Sequence, residues 1–187
     1  MQKTSYNLLG LAAASCCFLS MANTCSLGQT NVQKEIKPYV VITGADSHIA
    51  ERQCFRVSSN DEWTALWLRH KGKESSKKYD DYFNPAGVPN VNFENCMVIA
   101  IFKGPGSNSA GLRAVSVHED PEAMLFRFRD MSYQSGNWSD KVTVYGFFVL
   151  PRSTMPVVLE EDVQGIINKP PVWRERARFE KLPEKHQ

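Results

Sequence analysis

Met97-Val98-Ile99-Ala100-Ile101-Phe102 is the longest clean apolar run in the chain after residue 22. Strand residues alternate between two faces, and here both parities are apolar, which predicts a strand covered on both sides in the middle of a core. Lys103-Gly104-Pro105-Gly106 predicts its end, since glycine admits positive φ and proline withdraws a donor. The glycine- and serine-rich stretch that follows reads as a loop, with residues 112–118 as the returning strand.

Outward from this run the patterns are shorter. Tyr39-Val40-Val41-Ile42-Thr43 predicts a strand ended by Gly44, and Gln53-Cys54-Phe55-Arg56-Val57 a second, alternating one. Ser59 with Glu62 three residues on forms a capping-box signature, and Trp63, Leu66, Trp67 and His70 then fall on one stripe of a helix. That stripe predicts core packing of the helix against a sheet, with an aromatic binding platform as the alternative. Residues 71–89 form a long polar connection. Further strands are expected over residues 124–129 and 141–150, with a short, proline-led edge strand at 156–159. Strands without regular helix alternation imply an α+β fold: a mainly antiparallel β-sandwich or partly open barrel with one early amphipathic helix packed on it.

At 187 residues the chain suits one domain with an ordinary core. Its hydrophobic fraction of 42% excludes wholesale disorder, and a formal charge of +2 gives no general reason to expect nucleic acid as a partner. Lys3, the uncharged residues 8–19 and Ser20-Met21-Ala22 read as an export signal cleaved after Ala22. The run is short for a membrane span, which needs ~20 residues. The expected organisation is a signal peptide over 1–22, a linker over 23–37, one domain over 38–168 and a charged tail over 169–187. A secreted or periplasmic protein follows. The alternative is an envelope protein held by a lipid at Cys16, after Ala13-Ala14-Ser15. Export permits disulfides, and Cys54 with Cys96 is the possible pair, two free thiols being the alternative; Cys25 is left over.

Familiar chemistries lack their motifs. His48, His70, His118 and His186 are scattered, with no HxH, HExxH or CxxC, so no metal and no cofactor is expected. The loop from Gly104 to Gly111 lacks the Lys-Ser/Thr of a P-loop, and a strand follows it where a dinucleotide site needs a helix. No G-x-S-x-G occurs, so a catalytic centre could only be an unrecognised one around Cys96 with His70 or His118.

One succession is recognisable: the helix with Trp63 and Trp67, then Val88-Pro89-Asn90-Val91-Asn92-Phe93, the strand at 97–102 running into Gly104, a Ser/Gly loop, and the strand at 112–117. It resembles the C-terminal domain of the PrcB family of protease-complex subunits, over about residues 53–159. There a Val-Asp-Phe segment precedes a strand ending in glycine, and a Thr-Gly-Gly-Tyr loop leads into the next. Asn92 stands in place of that Asp, and Gly111-Leu112 lacks the paired glycine and the tyrosine. The resemblance implies an exported, non-catalytic accessory module that binds a protein, such as an extracytoplasmic protease. Ser107, Asn108, Ser109, Gly111 and Arg113 are the expected contact residues, together with the 71–90 connection, because binding favours loops on a rigid scaffold. An exported hydrolase with a Cys/His site is the alternative.

Overall fold

The computed structural model describes residues 34–72, 87–136, 139–164 and 168–183. The export signal, Cys16, Cys25 and most of the 71–90 connection lie outside them. Along the described residues run β1 (Lys34–Glu35), β2 (Val40–Gly44), β3 (Gln53–Val57), α1 (Asn60–His70), β4 (Cys96–Ser107), β5 (Ser109–Glu119), β6 (Met124–Ser132), β7 (Lys141–Pro151), β8 (Val157–Asp162) and β9 (Trp173–Phe179). They form two sheets, one ordered β1-β5-β6-β8-β9 and the other β2-β7-β4-β3. All pairings are antiparallel except β6 with β8. The sheets pack face to face as a sandwich without closing into a barrel.

The two-sided apolar run explains the layering. Met97, Ile99 and Ile101 point between the sheets, where they meet Phe126, Phe128, Phe148, Leu150 and Leu159. Val98, Ala100 and Phe102 point the other way, onto Trp63, Leu66 and Trp67 of α1 and Phe147 of β7. The helix therefore forms a third layer, and its tryptophans belong to the core. Trp63 also donates from its indole nitrogen to Pro89 O at 2.7 Å, which ties the end of the long connection beneath α1.

Four expectations need correction. β4 does not stop at Gly104: it continues to Ser107, with Lys103 as an extra residue between the pairs Phe102↔Tyr145 and Gly104↔Val144. Gly104 takes φ 81 at this bulge, and an added Cβ would lie 2.9 Å from Ala50 O. Pro105 is tolerated because β3 pairs no further than Phe102, leaving that side of β4 without a partner strand. Next, the strand at 156–159 is interior to its sheet, flanked by β6 and β9; Pro156 precedes it and accepts from Met124 N at 2.9 Å. Third, the charged tail supplies β9, an edge strand whose charges suit an edge. Fourth, the end of the linker contributes β1, paired with β5 at His118 and Glu119.

Candidate functional site

Two bulges build the site. Lys103 is the extra residue of β4, and Arg176 is the extra residue of β9, between Ala177↔Leu159 and Glu175↔Glu160. A bulge re-aims its side chain, and both cations converge on one carboxylate between the sheets. Lys103 Nζ lies 3.1 Å from Glu161 Oε1, and Arg176 Nε lies 2.6 Å from Glu161 Oε2. Lys103 also reaches Asp130 Oδ2 at 2.5 Å, and the Ser109 hydroxyl donates to the other Asp130 oxygen. The Glu161 side chain is only 5% exposed, a position that an unpaired carboxylate could not hold cheaply. Here two cations answer two carboxylates.

Beside this matched cluster lies an open groove of about 910 Å³, lined by Arg113, Arg129, Asp162 and Lys169 as well as Arg52 and the cluster itself. Six cationic side chains face three carboxylates there. The Asp162 carboxylate is engaged by its own loop, accepting from Gln164 N at 2.9 Å and Val172 N at 3.0 Å. Arg113 and Arg129 stand directly opposite each other in the β5–β6 register and are both exposed. Neither has a carboxylate partner among the described residues. Like charges at opposed positions are destabilising. Among the described residues the buried charges of the cluster are paired and this couple is left unmatched.

A smaller cavity of about 220 Å³ opens next to the groove, with Arg52, Lys103, Glu161 and Arg176 shared between them. Its walls are Cys54, Ile101, Phe128 and Ala177. It sits where the edge strands β3 and β9 come together. Further along β3, Arg56 closes that seam, donating to the carbonyls of Ser153, Met155 (2.8 Å) and Glu180 (3.2 Å). Burial pushes the Cys54 thiol up to about 11, so it is a wall and a poor nucleophile.

The expected contact residues fall out unequally. Asn108, at φ 52, is the only residue between β4 and β5, which belong to different sheets. Its side-chain oxygen accepts from Asp140 N at 3.0 Å, and its carbonyl accepts from Tyr133 N at 2.8 Å. Ser109 is buried, and Gly111 N donates to its hydroxyl at 3.1 Å. The expected loose loop is thus a tied crossing between the sheets, with Ser107 as the last residue of β4. Of the five, only Arg113 lines the groove. Arg129, Lys103, Glu161, Arg176 and Arg52 were missed. Their one visible signal is the period-2 spacing of Arg127 with Arg129 and of Arg174 with Arg176 and Arg178.

Cys54 and Cys96 are free thiols. Cys54 opposes Ile101, five residues along β4 from Cys96, about 17 Å at strand rise, and a disulfide needs Cα atoms within ~7 Å. They also face opposite sides of the sheet, Cys54 between the sheets and Cys96 towards α1. Nor does Cys96 meet the imidazole of His70 or of His118. His70 packs against Phe102, at the far end of that face of β4, and His118 lies on β5 in the other sheet. Among the described residues no three His, Cys, Asp or Glu side chains gather as a metal set, and no helix is long and apolar enough to cross a membrane. Comparisons with known families, with curated proteins and with solved structures find no match.

Proposed function

We propose that the chain is an exported, non-catalytic module that binds another protein through the groove at Arg113 and Arg129. The observation that carries this reading is the opposed, unneutralised arginine couple in a groove whose buried charges are otherwise paired. A carboxylate of a partner placed between the two guanidinium groups relieves their repulsion and accepts charge-assisted hydrogen bonds from both. The separation of Cys96 from His70 and His118 supports a binding role over a thiol hydrolase. Export rests on the pattern of residues 1–22, with lipid attachment at Cys16 as the other form of it. The PrcB resemblance points to an extracytoplasmic protease as the partner.

Photo-crosslinking in the native host tests this. A benzophenone side chain at Ser132, an exposed groove position, is expected to give a single protein adduct that Arg113→Glu abolishes. A probe at Val41, exposed on β2 of the other sheet and outside the groove's lining, is the control. An adduct from Ser132 that persists unchanged in Arg113→Glu would overturn the reading.

A further inference from the structure

We infer that the segment recognised is acidic and carries one aliphatic anchor, its carboxylates on Arg113 and Arg129 and its apolar side chain in the cavity between β3 and β9. This rests on the groove reading above and adds the chemistry of the ligand. Three observations combine. The groove has an excess of cationic side chains that the fold leaves unmatched. The cavity beside it is walled by Ile101 and Phe128, each 2% exposed, with Cys54 and Ala177. And the two are continuous through Arg52, Lys103, Glu161 and Arg176, so one extended chain can occupy both.

Size narrows the anchor. A water claims roughly 30 Å³ of liquid, so the cavity of about 220 Å³ suits one Leu, Ile or Met side chain, too little for a separate drug-sized ligand. Its mouth adds specificity. Glu161 is held buried between Lys103 and Arg176, so a basic anchor would have to displace a paired cation, whereas an aliphatic one leaves the cluster intact. A free phosphate could use the arginines but has no apolar group to place against Phe128 and Ala177.

The test uses the full chain and three fluorescein-labelled peptides: a Glu-rich nonamer with a central Leu, the same with a central Ala, and the same with a central Lys. The Leu peptide is expected to bind about tenfold or more tighter than the Ala peptide, as full burial of one such side chain predicts. Two cavity-filling variants, Cys54→Trp and Ala177→Leu, are expected to erase that preference by lowering the affinity for the Leu peptide. Using both guards against one failing to fold. Equal affinity of the Leu and Ala peptides for the wild-type chain, with both lost in Arg113→Glu/Arg129→Glu, overturns the anchor and leaves the groove reading standing. Binding of tripolyphosphate or an oligonucleotide with no binding of any peptide overturns both.

Discussion

The imidazole of His70 lies 4.2 Å from the Tyr145 ring and 5.2 Å from that of Phe147, with Nδ1 3.0 Å from Ser47 Oγ. Its Nε2 has no hydrogen-bond partner among the described residues. Burial, with a smaller contribution from the Lys71 charge, lowers its pKa from 6.5 to about 4. The neutral ring is therefore the native form, and the stability it confers is complete above pH 6.5. As pH falls from 6.5 towards 4 the unfolded chain takes up a proton that the folded chain refuses, and that contribution drains away. On the order of 2–3 kcal/mol is at stake. Urea unfolding at pH 7 and pH 4 should show His70→Phe losing less stability on acidification than wild type by roughly this amount; parallel curves would contradict the assignment. Arg56 makes a second residue-scale case, because one guanidinium serves three carbonyls. Arg56→Lys cannot reproduce that fork and is expected to cost about 2 kcal/mol, read as a lower urea midpoint.

At the scale of elements, α1 was legible because its signals are local. Ser59 caps as its spacing implies, accepting from Glu62 N at 3.3 Å, while the Glu62 carboxylate accepts from Ser58 N at 2.9 Å, one residue before the usual capping-box partner. Ser59→Ala should cost about 1 kcal/mol, measurable as a lower melting temperature. β4 was legible in its apolar half and misread in its Gly-Pro-Gly half. Those residues break most strands, and here one glycine accommodates a bulge while the proline sits where β4 has no partner on one side. β9 was hidden for a different reason. Alternating Arg and Glu looks the same on a solvated tail as on a charged edge strand, and only the register with β8 separates them. Gly111 marks the joint between the two sheets. It takes φ 123, and a Cβ there would fall 2.4 Å from Thr43 Oγ1, which accepts from Leu112 N at 2.6 Å and donates to Tyr145 O at 2.9 Å. Gly111→Ala is expected to destabilise by ~2 kcal/mol or more, visible in chemical denaturation.

For the whole molecule, hydrophobic periodicity sufficed to expect a sandwich with a helix on it, since the core is apolar and its pattern regular. The site was nearly invisible. Its residues come from β4, β5, β6, β8 and β9 and from Arg52 just before β3, and two of them reach it only because a bulge turns them inward. A net charge of +2 conceals the local excess in the groove. On the binding role proposed above, Arg113 and Arg129 are opposed for the benefit of a partner and at a small cost to the fold. Arg129→Glu separates those two effects in a single variant, since it replaces a repulsive cross-strand pair by an attractive one. Thermal unfolding and titration with the Glu-rich Leu peptide, done on the same preparation, should show stability raised by about 0.5 kcal/mol and affinity reduced at least tenfold. A variant that melts lower than wild type and binds the peptide as well as before would contradict the account.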